Sequence, residues 1–380
     1  MEAVTAGSGG DRVAALTDSD LSYFEEAGLY EPDADDADDV SNLLHFLLGM
    51  GWTPDEIVEA TCSCELQVLA SDAALRPPAE FTLEEAAAQV DMAPEGLDHL
   101  RRSSGLAPRG IDGPGFGKAD IEGFRALQAG AEMFTADEAH YFARVLGSSL
   151  SRIADAAVSL FLIDVEGPLR EAGGSELDVA KRNIDAVKAL DGVAAALDPL
   201  LRLHLEEAIL RNRASRNLTD DPYTVRMAVG FVDLVGFTAF SERVTSAELG
   251  ELVRRFEDAS YDLVAEKGGR VVKLIGDEVM FVAADPQAAC DVAVSLIGEF
   301  RGENVTPRGG LAYGELLSRG GDYYGPIVNL ASRIGELAVP CELLATPELA
   351  ERAPGYSFEP AGRRQLKGFP EPVELVSFCC

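Results

Sequence analysis

The spacing of apolar positions changes near residue 220. Before that point, apolar residues recur every three or four positions in segments such as NLLHFLLGMG (42–51), which predicts amphipathic helices. After Tyr223, strand-like runs (VRMAVGFVDLV, RVVKLIGDEVMFVA and RGGLAYGEL) alternate with helical ones. The change predicts an α+β chain with an all-helical domain at 1–198, a helical linker at 199–222 and a mixed domain at 223–380.

Helix ends in the first half are marked by capping and breaking residues. We expect Asp39 or Ser41 to cap the helix that Gly51 ends, because short polar side chains favour the N-cap and glycine favours the position after the last turn. Asp198-Pro199 is expected to break the helical pattern, since proline in a helix interior removes a hydrogen bond. The leucine-rich segment that follows is therefore predicted to be a separate connecting helix.

Residues 81–106 resemble the helix-turn-helix of MerR-type regulators, which would indicate DNA binding. The alternative is a helical hairpin with a purely structural role. The second helix ends in Arg101-Arg102 but also carries Glu95 and Asp98, and the surrounding sequence is acidic. Negative charge repels phosphates, so the hairpin is the favoured interpretation.

The order of elements after Tyr223 is strand, helix, hairpin, helix, strand. An amphipathic helix at Ser246–Glu266 separates the first strand from the hairpin. This order predicts a ferredoxin-like βαββαβ sheet with helices on one face.

Composition excludes several classes of function. The net charge of −33 argues against a general nucleic-acid binder and against an anionic membrane surface, because both need a basic footprint. The N-terminus lacks the pattern of a signal peptide, and no stretch of about 18 apolar residues predicts a membrane span. The six cysteines match no zinc or redox spacing, which favours a reducing cytoplasm.

Two aspartates stand at strand ends beside glycines. Asp233 follows the apolar run of the first strand, and Asp277 lies in the hairpin sequence KLIGDEVMF. An unpaired carboxylate in such buried surroundings costs several kcal/mol, so a partner charge is expected. Hard oxygen ligands suit Mg²⁺ or Mn²⁺, and a pair of such ions about 4 Å apart serves phosphoryl chemistry. The sequence therefore predicts a site for two divalent cations.

Basic and polar residues accompany these aspartates. Asn329 and Arg333 are four residues apart, so on a helix they share one face and can reach one substrate together. The complete set of further candidates is Lys273, Arg308, Asp322, Asn329, Arg333 and Lys367.

Residues 223–380 resemble the catalytic domain of class III nucleotidyl cyclases, in the adenylate cyclase branch. The segments FVDLVGFT, KLIGDEVMF, DYYGPIVNLASR and LKG occur in the order of that family. The resemblance covers about 40% of the chain and implies synthesis of 3′,5′-cyclic AMP and pyrophosphate from ATP. A diguanylate cyclase is disfavoured, because its Gly-Gly-Asp/Glu-Glu-Phe hairpin motif is replaced here by Ile-Gly-Asp-Glu-Val.

The resemblance implies roles for the two aspartates of the predicted metal site and for two of the further candidates. Asp233 and Asp277 match the metal-binding pair. Lys273 and Asp322 match the pair that reads the adenine edge, with the lysine donating to a ring nitrogen and the aspartate accepting from the 6-amino group. Guanylate cyclases of the family replace this pair, so ATP is favoured over GTP, and guanylate cyclase is kept as the alternative.

The resemblance also implies how the remaining candidates act. Asn329 would orient the ribose and Arg333 would face the phosphate charge in the transition state, while Arg308 and Lys367 would contact the triphosphate. In this family the metal aspartates come from one subunit, and the adenine-reading and transition-state residues come from its partner. A head-to-tail homodimer with two shared sites is therefore expected.

The helical half resembles the regulatory domain of pH-responsive actinobacterial cyclases. The expectation is that it holds the catalytic domains in an inhibited state, with the connecting helix as the switch. The signal could be protons, a lipid in an apolar helical pocket or a protein, and the sequence does not choose among them. His204 on the connecting helix could sense pH or could be an ordinary interfacial histidine.

Overall fold

A computed structural model describes residues 16–61, 65–75, 79–111, 113–131, 133–216, 224–301 and 305–379. The chain divides into two compact units, Met1–Leu200 and Leu201–Cys380. The change of apolar spacing in the sequence falls close to this division. The two units are described separately.

The first unit is helical throughout its described part, apart from one isolated β-bridge. A π-helical turn at Leu162–Glu166 joins two of its helices. The helices are α1 Asp18–Glu26, α2 Ala37–Gly49, α3 Pro54–Thr61, α4 Leu66–Leu75, α5 Leu83–Gln89, α6 Pro94–Ser103, α7 Lys118–Ala131, α8 Ala136–Phe161, α9 Gly167–Glu171 and α10 Glu176–Arg216. The last of these continues past Leu200, so its C-terminal part belongs to the second unit.

The ends of α2 correct one expectation and confirm another. The N-cap is Asp36, so the prediction of Asp39 or Ser41 is wrong. Asp39 lies in the first turn instead, where its carboxylate interacts favourably with the positive end of the helix dipole. Gly51 follows the C-cap with a φ of 101°, which confirms it as the residue that ends the helix.

The predicted hairpin of residues 81–106 forms as α5 and α6, and each of its two arginines has a nearby partner. Arg101 is only 6% exposed, and its guanidinium donates to the carbonyl oxygen of Ala107. Arg102 pairs with Asp98 at 3.0 Å. Neither arginine is therefore presented to solvent as an isolated phosphate-binding cation, which favours the structural interpretation.

Helix α10 runs without interruption through Pro199, so the predicted break at Asp198-Pro199 is wrong. A proline in a helix interior costs about 3 kcal/mol. The surrounding alanine- and leucine-rich turns favour helix strongly enough to offset that local penalty. His204 lies on the later part of this helix, exposed, with Nδ1 4.0 Å from the carboxylate of Glu207.

One continuous helical stretch in the described part of the chain, Ala136–Glu171, is long and apolar enough to cross a membrane. Its best 18-residue window has a mean hydropathy of 1.4, and none of that window is buried. Length and composition are the only grounds for this classification. This stretch corrects the expectation that no segment is apolar enough to span a membrane.

The second unit is built on one sheet with strand order β2-β3-β1-β4-β6-β8-β7, and β5 pairs with β4 off this path. The strands β2, β3, β1 and β4 are antiparallel neighbours, as a ferredoxin-like βαββαβ unit requires. The strands are β1 Thr224–Val235, β2 Arg270–Ile275, β3 Glu278–Ala283, β4 Thr306–Arg319, β5 Asp322–Tyr324, β6 Leu343–Ala345, β7 Phe358–Arg364 and β8 Val373–Phe378. The helices are α11 Phe237–Ser241, α12 Ser246–Glu266, α13 Pro286–Glu299, α14 Pro326–Leu337 and α15 Pro347–Ala350.

Helices cover both faces of this sheet: α12 and α13 of the βαββαβ unit share one face, as predicted, and α14, which follows β4 and was not predicted as part of the unit, covers the other. Val232 and Phe281 pack with α12 and α13 on what we call the α12–α13 face. Val229 and Met280 pack with α14 on the opposite side, the α14 face. The central run of β1 is buried on both sides, and such continuous burial requires cover on both faces.

Candidate active site

Asp233 and Asp277 lie at the same edge of the sheet. Asp233 is near the end of β1, in register with Glu278 on β3 and with Arg308 on β4, so all three lie on the α14 face. Asp277 lies in the two-residue turn between β2 and β3, and its carbonyl oxygen accepts a 3.1 Å hydrogen bond from the amide of Leu234. The hairpin turn is thereby tied to the strand that carries Asp233.

The carboxylates at this edge repel one another. Burial raises the pKa of Asp277 above its usual value, and the charge of Asp233 raises it further, while Arg308 opposes the shift. Burial raises the pKa of Glu278 to about 7, with Asp233 and Asp277 adding to the effect. The site therefore concentrates more negative charge than its surroundings neutralise, which favours a cation.

Arg308 holds Asp233 in a two-pronged ion pair. Its Nε donates to Oδ1 at 2.9 Å and its Nη2 donates to Oδ2 at 3.0 Å. Its Nη1 donates to the carbonyl oxygens of Glu336 at 3.0 Å and Ala338 at 3.2 Å, at the end of α14. The ion pair with Asp233 raises the pKa of Arg308 above its usual value. Arg308 thus ties β1 to the C-terminal end of α14.

The residues at this edge fit a pair of divalent cations. The donors are hard carboxylate oxygens, and Arg308 leaves lone-pair directions of Asp233 unused. Burial, and then the charge of Asp233, raise the pKa of Asp277, so its ionised form would be stabilised by a nearby cation. Within the described ranges, no group of three or more His, Cys, Asp or Glu side chains forms a ready metal cluster, so the fit rests on the aspartate pair.

Lys273 and Asp322 form the second group. The lysine Nζ lies 2.7 Å from Asp322 Oδ2, and Oδ1 of the same carboxylate accepts from the amide of Tyr323 at 2.8 Å. A one-residue bulge at Val272 brings Lys273 opposite Met280, which places the lysine on the α14 face. The pair presents a donor and an acceptor side by side.

Helix α14 carries Asn329 and Arg333. The helix lies directly against β4, because a Cβ built on Gly310 would be 2.1 Å from the amide nitrogen of Gly335. Asn329 is exposed, and Arg333 pairs with Glu336 one turn later. The absence of side chains at this glycine contact therefore sets how closely Asn329 and Arg333 approach the sheet.

Lys367 lies apart from the other candidates. It is exposed in the connection between β7 and β8, next to the buried Leu366 that anchors this segment. Apart from Lys367, the candidates fall into three groups. The first is Asp233, Arg308 and Asp277, the second is Lys273 and Asp322, and the third is Asn329 and Arg333. In the part of the chain that the structure describes, no hydrogen bond or ion pair joins one group to another.

Glu278 is a site residue that the sequence analysis missed. It lies beside Asp277 and directly opposite Asp233, among the same charges. The signal was present in the sequence, because a glutamate one position into an otherwise apolar strand is costly to bury. Its importance becomes clear only once the register of β1 and β3 is known.

Comparison with known proteins supports the family resemblance. The family model described as the adenylate and guanylate cyclase catalytic domain matches residues 222–378. An uncharacterized protein of Mycobacterium tuberculosis (strain ATCC 25618 / H37Rv) is 32% identical over 357 residues, covering 93% of each chain. A pH-sensitive adenylate cyclase of M. tuberculosis (strain CDC 1551 / Oshkosh) is 30% identical over 357 residues, covering 88% of this chain and 86% of the relative.

A solved structure is similar over part of the chain. The crystal structure of the adenylyl cyclase CyaB from P. aeruginosa is 23% identical, with a TM-score of 0.38, and covers 41% of this chain and 96% of that chain. The full-length relatives and the matched catalytic domain together establish the relationship. The chain belongs to the class III nucleotidyl cyclases.

Proposed function

We propose that the protein is an adenylate cyclase that converts ATP to 3′,5′-cyclic AMP and pyrophosphate. The observation that carries this proposal is the ion pair between Lys273 Nζ and Asp322 Oδ2 at 2.7 Å. The adenine edge offers a ring-nitrogen acceptor beside an amino donor, which complements a lysine donor beside a carboxylate acceptor. The guanine edge offers the opposite order, so the same pair would meet it donor against donor.

In the proposed reaction the 3′-hydroxyl of ATP attacks the α-phosphorus, and pyrophosphate leaves. Bound Mg²⁺ or Mn²⁺ ions would activate the hydroxyl and neutralise the phosphate oxygens. Asp233 and Asp277 would hold these ions, with Arg308 orienting the Asp233 carboxylate beforehand. Domains of this family generally depend on divalent cations.

The remaining candidates position the nucleotide. Asn329 orients the ribose, and Arg333 faces the negative charge that develops on the phosphate in the transition state. A pre-positioned arginine contributes roughly 10³-fold or more in comparable phosphoryl transfers. Arg308 and Lys367 are proposed to contact the triphosphate, for which Arg308 has to release at least part of its bond to Asp233.

The decisive test is cyclic nucleotide formation by the purified full-length protein with Mn²⁺ or Mg²⁺, comparing ATP with GTP. We expect cyclic AMP from ATP, little turnover of GTP, and loss of activity in an Asp277→Ala control. Preferential turnover of GTP would replace the proposal with a guanylate cyclase. The absence of turnover with both nucleotides, in the full chain and in the isolated unit Leu201–Cys380, would contradict a cyclase activity.

The active form is proposed to be a homodimer with shared sites. Among the described residues, no hydrogen bond or ion pair directly joins Asp233 or Asp277 to Lys273, Asp322, Asn329 or Arg333, which supports this arrangement. Asp277→Ala and Arg333→Ala proteins, each inactive alone, should regain about one functional site per dimer when mixed. Two inactive variants that stay inactive in a verified heterodimer would contradict shared sites.

The first unit is proposed to inhibit the catalytic unit until a signal arrives. The pH-sensitive relative aligns with 88% of this chain, so the alignment extends well into the helical unit. Protons, a lipid and a protein partner are the candidate signals, and a cytoplasmic location gives access to ATP. The isolated unit Leu201–Cys380 should exceed the full chain in activity between pH 5 and 8. Equal or lower activity at every pH would rule out inhibition.

A further inference from the structure

Arg270 opens strand β2 and lies on the same face of the sheet as Lys273. Arg270 is paired in register with Val282, and Lys273 is paired with Met280, two positions along β3. The bulge at Val272 absorbs the extra residue between them. Two cationic side chains three positions apart therefore both project from the α14 face.

The hairpin that carries Asp322 is short, and its turn consists of two glycines. Arg319 on β4 pairs with Asp322 on β5, so Gly320 and Gly321 form a two-residue turn. Both glycines have a positive φ, 61° and 81°, as a type I′ turn requires. Strand β5 contains only three residues, and glycine loses much conformational entropy when it is ordered. Contacts from outside the hairpin are therefore needed to fix its tip.

Arg270 supplies such contacts on both sides of Asp322. Its Nη2 donates a 2.8 Å hydrogen bond to the carbonyl oxygen of Gly321, the residue before the aspartate. Its guanidinium carbon lies 5.9 Å from the ring centroid of Tyr323, the residue after it. The tyrosine is itself buried at 8% exposure. One side chain thus holds the backbone that enters Asp322 and the ring that follows it.

These two contacts, rather than close packing, set the position of the guanidinium. A cavity of about 510 Å³ within the second unit is lined by Arg270, Gly321 and Tyr323, together with Arg211 and Ser215 from the end of α10. The cavity leaves space beside the arginine, so a shorter or neutral side chain fits without a steric clash. Substitution of Arg270 therefore removes the contacts without forcing the fold to adjust.

We propose that Arg270 is a positioning residue for base recognition, which holds Asp322 where its carboxylate meets Lys273. The proposal rests on the proposed function, because it assigns Lys273 and Asp322 to the base. Arg270 does not touch the nucleotide. It acts by reducing the freedom of the hairpin tip before the substrate arrives.

The test compares the full-length protein with Arg270→Met and Arg270→Lys variants. Methionine keeps the apolar stem and removes the donors, whereas lysine keeps a charge and a donor. Arg254→Met is the matched control, because Arg254 is an exposed arginine of α12 whose partners, Glu251 and Asp258, are exposed too. The measurements are kcat and KM for ATP and GTP, and amide hydrogen exchange of residues 319–324.

We expect Arg270→Met to raise KM for ATP about tenfold with kcat within about threefold, because a charge-assisted contact that pre-orders the site is lost. The preference for ATP over GTP in kcat/KM should fall about tenfold, and the hairpin amides should exchange about tenfold faster. Arg270→Lys should recover most of each change, and Arg254→Met should match the unsubstituted protein.

Unchanged KM and nucleotide preference in Arg270→Met would overturn the proposal, and so would a lower kcat with both of these unchanged. Failure of the proposed function is distinguishable, since the unsubstituted protein would then turn over neither nucleotide or would prefer GTP. In that case hydrogen exchange still tests whether Arg270 orders the hairpin. Unchanged exchange at residues 319–324 in Arg270→Met overturns this positioning role, and faster exchange supports it.

Discussion

The two faces of the catalytic sheet differ in what they bury. The α12–α13 face is apolar and rich in aromatic rings, with Phe256 and Phe300 in edge contact 5.5 Å apart. The α14 face carries a smaller apolar cluster and, toward its edge, the charged groups Asp233, Lys273 and Arg308. Neighbouring residues of one strand point to opposite faces. A residue that packs in the apolar core can therefore be followed directly by a charged residue of the candidate site.

This comparison can be tested on one scale, the free energy of unfolding of the metal-free second unit. Cys290 of α13 is a suitable reporter, because it is fully buried and burial raises the pKa of its thiol to about 12. Its labelling in urea, followed by peptide mass spectrometry, measures opening of this unit. The single tryptophan, Trp52, lies in the other unit.

The largest expected effect is that of Phe281→Ala on the α12–α13 face. Phe281 is fully buried in β3, and its ring fills the space above Gly230. Removing it should lower the free energy of unfolding by about 3–5 kcal/mol. Tyr261→Ala, at an exposed position of α12, is the control and should stay within about 0.5 kcal/mol. A loss below about 1 kcal/mol at Phe281 would contradict a core on this face.

Gly310→Ala should come next, by overpacking the α14 face. The added Cβ would lie 2.1 Å from the amide nitrogen of Gly335, so α14 has to shift. We expect a loss of about 1–3 kcal/mol together with a fall in kcat, since Asn329 and Arg333 move with the helix. Gly298→Ala on α13, where nothing lies within 4 Å, should lose nothing. Equal effects of the two substitutions would contradict the glycine contact.

Tyr356→Phe should have a smaller effect that depends on pH. The Tyr356 hydroxyl donates to Asp291 Oδ1 at 2.7 Å, so its loss should cost about 1 kcal/mol at neutral pH. Burial, and then the bond to Asp291, raises the pKa of Tyr356. Its protonated form is therefore favoured in the folded state, and its contribution should be lost as the pH rises above about 10. The phenylalanine variant should show a shallower alkaline decline, and an identical decline would contradict this origin.

Asp277→Asn should have the smallest effect on stability and a large effect on activity. Because the pKa of Asp277 is raised, ionising this carboxyl costs more free energy in the metal-free folded state than in the unfolded state. The neutral amide should leave the free energy of unfolding unchanged or slightly higher, by less than about 1 kcal/mol, when EDTA is present. Cyclase activity should fall at least about 100-fold. A loss of stability above about 2 kcal/mol would indicate a structural role.

Local signals in the sequence predicted much of the fold. Strand-like apolar runs placed β1 and the β2–β3 hairpin, and the order of elements predicted the ferredoxin-like core that the structure contains. The position of α14 on the opposite face was not predicted, because a strand buried on both sides shows no alternation to reveal its cover. The path of α10 through Pro199 was missed because the prediction considered only the local cost of proline. In the 41-residue helix, the other residues favour helix strongly enough to offset that cost.

Site residues were predictable where a charged residue interrupts an apolar run. They were not predictable where their position depends on how the strands pair. Asp233 and Asp277 stand out from their neighbours, so their placement at one sheet edge could be anticipated. The bond between Arg308 and Asp233 depends on strand register, which no local pattern specifies. Arg270 was missed for a related reason, since a strict period of two places it on the face opposite to Lys273.

The bulge at Val272 has a consequence for insertions and deletions. Strand β2 contains one residue more than its partner needs between Arg270 and Lys273. A chain that lost one of the adjacent valines, Val271 or Val272, could still pair Arg270 with Val282 and Lys273 with Met280. A one-residue deletion is therefore tolerated at this point without losing the lysine from the α14 face.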